Sequence, residues 1–262
     1  MLKAEKTMKI SIIQSDIIWA SPEENRQHLE EKLSSSPLAD LYVFPEMFST
    51  GFCTEPHKIA EEATEAGSLE WMQETARKRQ CALAGSVATH ADGKYYNRFY
   101  FVYPDGHYCF YDKKHLFTYG GEHHTFTPGT ERVIVEYQGV RILLQVCYDL
   151  RFPVWSRNVA NQYDLLIYVA NWPIPRRLAW DTLLRARALE NQCYVCGVNR
   201  VGIDGYRLKY NGGSKIYSAL GEEAASVPDE TEGIATATLH LTALHQFREK
   251  FPVWKDADEF HL

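Results

Sequence analysis

The chain has 262 residues, 45% hydrophobic and 24% charged, a composition that supports a substantial core and argues against global disorder. With 28 Lys and Arg against 34 Asp and Glu the net charge is −6, which disfavours a dedicated nucleic-acid binder. Six cysteines are too sparse for a disulfide scaffold, apolar runs such as Leu165 to Ala170 are too short to cross a bilayer, and residues 1–9 lack the apolar stretch of a secretory leader. The expectation is a cytoplasmic protein with reduced thiols, no membrane contact and no nucleic-acid partner.

Residues 1–7 are polar and expected to fray. Met8 to Gln14 is predicted as a buried strand. Ser21 is the predicted cap of a helix, with Pro22 at its first position and Glu24 closing a capping box, running to about Leu33. Leu41 to Phe44 is a second strand, halted by Pro45. Ser68 to Gln80 reads as a helix and Cys81 to Ala88 as a strand. Asp92-Gly93 and Asp105-Gly106 are hairpin signals, so Tyr95 to Tyr103 and Tyr108 to Tyr111 are predicted antiparallel. Val133 to Tyr137 and Arg141 to Val146 form another hairpin about Gln138-Gly139. Pro153 opens a helix, and Asp164 to Ala170 is a buried strand. Arg176 to Gln192 is helical, with Trp180, Leu183, Leu184 and Ala188 on one face. Tyr194 to Val201 is a strand, Ser214 to Thr238 holds further strands around Leu220-Gly221, and Leu241 to Lys250 is helical. No repeat or linker divides the chain, so a single domain over 1–262 is expected, with residues from about 248 onward as a C-terminal tail. The mix of alternating helices and hairpins predicts a layered α/β sandwich with mixed sheets.

Three segments place a reactive residue directly after an apolar strand, where loops build sites. Cys147 stands between a strand end and a helix start, where backbone N–H groups lower a thiol pKa and receive an oxyanion. It reads equally as a nucleophile and as a buried structural cysteine. Glu46, after Phe44-Pro45, is either an exposed loop carboxylate or a general base in a dry site. Lys113 and Lys114 are either two solvated lysines or include one that stabilises a developing negative charge.

Taken together, FPEMFSTGF at 44–52, YDKKHLF at 111–117 and QVCYDLRFP at 145–153 resemble the Glu–Lys–Cys signature of the nitrilase (carbon–nitrogen hydrolase) superfamily. LIYVANWP at 166–173 and RARALENQ at 185–192 extend the resemblance, which spans Met8 to about Ala225. It is closest to the omega-amidase branch, which deamidates 2-oxoglutaramate and similar omega-amides of 2-oxo acids; REKFPVWKDADEF at 248–260 is similar to that branch's C-terminus. The resemblance implies a four-layer α-β-β-α sandwich with two mixed β-sheets and a homodimer. It assigns Cys147 as nucleophile, Glu46 as general base, Lys113 (two residues before His115) as the third member, and the Tyr148 backbone N–H as an oxyanion donor. Glu122 is the candidate for a second glutamate. The expected substrate is a small-molecule amide carrying a carboxylate, with Asn171, Trp172 and Arg176 at the substrate site and Arg177 as the alternative cation. No metal or organic cofactor is required. The same triad on a nitrile, another amide or an N-carbamoyl compound is the second reading. A non-catalytic ligand-binding protein is the reading from another class, and it would be expected to have lost Glu46, Lys113 or Cys147.

Other features carry less. Cys193 and Cys196 are spaced to point to opposite faces of a strand. His123-His124 lacks further metal ligands nearby in sequence. Gly202, Gly205, Gly212 and Gly213 form no phosphate-loop pattern. Cys53, Cys81 and Cys109 read as small core residues.

Overall fold

The computed structural model describes residues 5–63 and 67–259. In chain order its elements are β1 (Thr7–Gln14), α1 (Pro22–Ser35), β2 (Leu41–Val43), β3 (Glu61–Glu62), α2 (Ser68–Arg79), β4 (Ala82–Ala91), β5 (Lys94–Val102) and β6 (Tyr108–Asp112). There follow β7 (Ile134–Tyr137), β8 (Val140–Val146), α3 (Pro153–Ser156), β9 (Leu165–Ala170), α4 (Arg177–Asn191), β10 (Tyr194–Asn199), β11 (Val201–Ile203) and β12 (Lys209–Asn211). The chain closes with β13 (Lys215–Tyr217), β14 (Glu223–Ser226), β15 (Gly233–His240) and α5 (Leu241–Lys250).

Two mixed sheets form the centre. One has the order β15-β1-β2-β4-β5-β6, with β3 beside β4; β1, β2 and β4 run parallel and the hairpin strands antiparallel. The other has the order β14-β13-β10-β9-β8-β7, with β8, β9 and β10 parallel. Strand alternation explains the layering. Ile10, Ile12, Val43, Ala84, Phe99 and Phe101 meet Ile142, Leu144, Ile167, Val169 and Val198 between the sheets. The intervening residues face outward: Ile13, Tyr42, Leu83 and Tyr100 pack under α1 and α2, while Leu166, Tyr168, Val195 and Tyr217 pack under α4. This is the predicted α-β-β-α sandwich. The turns at Asp92-Gly93 and Gln138-Gly139 adopt positive φ at both residues, and the Asp105-Gly106 turn at Gly106. Among the described residues, no helix is long and apolar enough to cross a membrane.

Several local expectations need correction. Residues 1–4 of the expected frayed extension lie outside the described residues, but Thr7 already pairs with His240 and the Leu241 N–H donates to the Lys6 carbonyl. Ser21 does not cap α1 with its side chain; its ψ of 74° turns it out of the extended range, and its hydroxyl sits on the Trp19 carbonyl instead. Asn25 organises that turn, bonding Ile18 on both its N–H and carbonyl. The strand expected over 194–201 breaks at Arg200, and β11 pairs with β12 as a separate ribbon. Residues 174–176 form a 3-10 turn ahead of α4. Arg248, placed at the start of a tail, lies buried within α5; the tail's residues 260–262 lie outside the described residues.

That arginine closes the bottom of the fold. Asp164, 1% exposed, accepts bonds from Arg141 (3.0 and 2.9 Å), Arg248 (2.7 Å) and His245 (3.3 Å). Burial acts to raise its pKa, but the hydrogen bonds and charge of Arg141, with Arg248, outweigh this and hold the carboxyl below its ordinary value. Its stabilisation is therefore complete above about pH 4 and lost as pH falls through the folded-state pKa. Asp164→Asn should cost about 3–5 kcal/mol in urea unfolding at pH 7, because Arg248 stays buried without its partner. The gap from wild type should narrow at acid pH; an equal gap at pH 7 and pH 3 would contradict this role.

Candidate active site

The parallel strands of both sheets deliver their C-terminal ends to one place. Glu46 follows β2, Cys147 follows β8 and Asn171 follows β9; Lys113 follows the antiparallel β6. The two key turns are sharp. Cys147 has φ +45° and Met47, directly after Glu46, has φ +44°. A non-glycine residue in this region costs on the order of 1–3 kcal/mol and persists only where its surroundings hold it. For Met47 the holding bond is its N–H to Ser86 Oγ at 2.9 Å. For Cys147 it is Asp149, two residues on, whose buried carboxylate accepts Val146 N–H (2.9 Å), Tyr111 Oη–H (2.8 Å), and both His115 N–H (2.9 Å) and Nδ1 (2.8 Å). One carboxylate thereby stitches the cysteine turn to the strand end that carries Lys113.

Lys113, 1% exposed, points its ammonium between two fully buried carboxylates. It lies 3.0 Å from Glu46 Oε1 and 3.1 and 2.9 Å from the two oxygens of Glu122. Glu46 Oε2 accepts the Asn171 N–H at 2.7 Å, and Glu122 Oε2 accepts the Phe117 N–H at 2.6 Å. Burial works against the lysine's charge, but Glu122 and Glu46 outweigh it and hold its pKa above the ordinary value. Burial raises the Glu122 carboxyl; Lys113 opposes this shift and Glu46 adds to it. The Cys147 thiol is pushed well above its ordinary value, first by burial and then by the Glu46 carboxylate, with Lys113 pulling the other way. At neutral pH the resting sulfur is a thiol.

A cavity of about 460 Å³ opens over this cluster. Such a volume suits a small organic molecule. Glu46, Lys113 and Cys147 line its floor, and Phe52, Phe117, Trp172, Tyr206 and Tyr210 its walls. Tyr206 comes from the loop of the β11–β12 ribbon, held edge-on to Trp19 at 5.2 Å between ring centroids. Two guanidiniums flank the opening. Arg176 stacks on Phe117 and Arg151 on Trp172, each 5.1 Å from the ring centroid, and among the described residues neither is in an ion pair. The Trp172 indole N–H fixes the Arg176 carbonyl at 2.7 Å.

The structure therefore gathers Glu46, Lys113, Cys147, Tyr148, Asn171, Trp172 and Arg176 around one space, with Glu122 bonded to Lys113 outside the cavity lining. It excludes Arg177, whose guanidinium is taken by Asp181 and Asp229 at 2.9 Å each. Lys114 turns away and stacks on Trp155. Cys193 and Cys196 fall in different core layers. Three residues escaped the sequence reading. Asp149 and Arg151 were inside a recognised motif but had no role there. Asn97 donates to both Glu46 and Glu122; its signal was a carboxamide in the middle of an aromatic strand.

A family model described as carbon-nitrogen hydrolase matches residues 9–249. The chain is 46% identical over 257 residues to the omega-amidase YafV of Escherichia coli K12, covering 97% of this chain and 98% of the relative. It is 35% identical over 253 residues to a 2-oxoglutaramate amidase of Bacillus subtilis, covering 94% and 96%. Among solved structures, XC1258 from Xanthomonas campestris, a CN-hydrolase superfamily protein with an arsenic adduct in its active site, superposes with a TM-score of 0.94 at 40% identity, covering 98% of this chain and 99% of that one.

Removing the ammonium leaves two buried carboxylates facing each other. Lys113→Met should cost about 3–5 kcal/mol in denaturant unfolding at pH 7. Lys114→Met should cost less than about 1 kcal/mol, the scale of its contact with Trp155. Reversed magnitudes would show that the neighbouring lysine carries the charge compensation.

Proposed function

The chain belongs to the carbon–nitrogen hydrolase family, and from that premise we propose that it is an omega-amidase, converting the omega-amide of small 2-oxo dicarboxylic acid monoamides to the acid and ammonia. 2-Oxoglutaramate and 2-oxosuccinamate are the proposed substrates. The observation that carries the reading is a thiol beside a buried carboxylate–ammonium cluster, under a small cavity lined by two guanidiniums that, among the described residues, are in no ion pair. The names borne by the relatives support the same substrate class.

In the proposed reaction Glu46 accepts the Cys147 proton as sulfur attacks the amide carbon. The raised thiol pKa makes this base necessary, because little thiolate exists in advance. The tetrahedral oxyanion is held by the Lys113 ammonium and by the Tyr148 backbone N–H, which stands in the first turn of a 3-10 helix where N–H groups lack intrahelical partners. As the C–N bond breaks, the proton on Glu46 passes to nitrogen and ammonia leaves, with a thioester remaining. Glu46 then takes a proton from water, the oxygen adds to the thioester carbon, and the C–S bond breaks. The sulfur recovers the proton and the acid departs. Glu122 acts by sharing the charge of Lys113, so that the ammonium is not bound to the base alone.

The substrate carboxylate, remote from the scissile amide, pairs in this reading with Arg176. Its planar fork suits a carboxylate, and Phe117 and Trp172 hold it in place without using its donors. A homodimer is also proposed; the exposed Phe251 and Trp254 of the C-terminal segment are consistent with an aromatic interface. All six cysteines are unpaired thiols, which fits a reducing cytoplasm.

Two experiments test the reading. Mass spectrometry of enzyme quenched during turnover should find the acyl group on Cys147, and Cys147→Ala should retain the fold with no turnover; full activity in that variant would end the covalent scheme. Arg176→Ala should raise KM for 2-oxoglutaramate at least tenfold, about 1.4 kcal/mol, while leaving a neutral amide of similar size unaffected. Equal effects on both substrates would remove Arg176 from carboxylate recognition.

A further inference from the structure

The most unusual feature outside the proposed triad is a neutral side chain inside its charge cluster. Asn97 sits in the middle of β5 and is fully buried. Its Nδ2 lies 2.8 Å from Glu46 Oε1 and 3.2 Å from Glu122 Oε1. Those are the oxygens that Lys113 Nζ also reaches, at 3.0 and 3.1 Å. The two carboxylates are thus bridged twice, once by an ammonium and once by a carboxamide. The Asn97 backbone carbonyl also accepts the Lys113 backbone N–H at 3.0 Å, so one residue fixes the lysine's strand end and both of its partners. The orientation of the amide is determined, because only its nitrogen can face two carboxylates.

We propose that Asn97 is a positioning residue, whose bridging amide lets Glu46 and Glu122 share a single ammonium while both stay ionised. The physical need is clear from the charges. Two buried carboxylates around one lysine carry a net negative charge, and like charges so close favour uptake of a proton by one of them. A base that has taken up that proton cannot accept another from Cys147. A neutral donor favours the charged carboxylates without adding a second cation to the cluster. The titratable groups facing the cluster are Glu46 after β2, Lys113 after β6, Glu122 in the loop that follows, and Cys147 after β8, which Tyr210 of β12 faces in turn. Asn97 is not part of the cavity lining, so its effect should reach the base rather than substrate binding.

This inference rests on the proposed role of Glu46, and the test separates the two. Asn97→Leu keeps the approximate size of the side chain and removes the donor. The acid limb of its kcat/KM profile for 2-oxoglutaramate should move up by about one pH unit, so that the loss relative to wild type approaches about tenfold on the acid side of the limb and disappears on the plateau above it. KM should stay within about twofold of wild type, as expected of a residue that does not touch substrate. If Asn97→Leu does not fold, Asn97→Ser, which retains one small donor, should show the same shift at smaller size. A uniform loss at every pH, with the limb unmoved, would overturn the proposal and leave Asn97 a packing residue. Methyl methanethiosulfonate modification of Cys147, followed by mass, supplies a readout that needs no turnover. Its acid limb should shift in the same direction. If wild type released no ammonia from any amide, the functional reading would fall, and the thiol limb would still decide Asn97: a shift supports the bridge, and an unmoved limb refutes it.

Discussion

Two buried carboxylates share one ammonium, and much of the structure around the site serves that arrangement. Burying a single unpaired charge costs several kcal/mol, so three such groups persist together only when every one is multiply bonded. Glu46 receives Lys113, Asn97 and the Asn171 N–H; Glu122 receives Lys113, Asn97 and the Phe117 N–H. These donors come from both sheets. The sandwich is what makes this convergence possible, because strands of the two sheets end at the same edge of the shared core.

The same edge explains where strain is held. Met47, next to the proposed base, and Cys147, the proposed nucleophile, occupy left-handed backbone, and each turn is fixed by a buried polar partner, Ser86 or the Asp149 hub. Asp149 has four donors and no exposure, so it reads as a rigid joint between the cysteine turn and the lysine strand. Above this rigid floor the walls are aromatic, and the charged groups at the opening stack on them. Attraction for an anionic substrate and repulsion from the negative floor would then act at opposite ends of the cavity. That polarity suits a molecule with a carboxylate at one end and a neutral amide at the other.

Much of this was legible in the sequence. Strand alternation marked both faces of each sheet, and the Asp-Gly and Gln-Gly turns marked the hairpins. The convergence of Glu46, Lys113 and Cys147 was legible because each follows an apolar strand directly, and motif order supplied the rest. What escaped was set by tertiary contacts. Ser21 has the sequence of a capping residue, yet the buried Asn25 determines the geometry of that turn. Arg176 and Arg177 are equivalent in sequence, and only the positions of Asp181 and Asp229 separate them. Asn97 and Asp149 bond to residues far away in sequence, and no local pattern encodes those partners.

The most direct test is ammonia release by the wild-type protein across matched small compounds: 2-oxoglutaramate, 2-oxosuccinamate, a neutral amide of similar size, a nitrile and an N-carbamoyl compound. A kcat/KM for the two 2-oxo omega-amides far above the others is the expected result. Preference for the neutral amide, the nitrile or the carbamoyl compound would contradict the omega-amidase reading and leave only the chemistry common to the family.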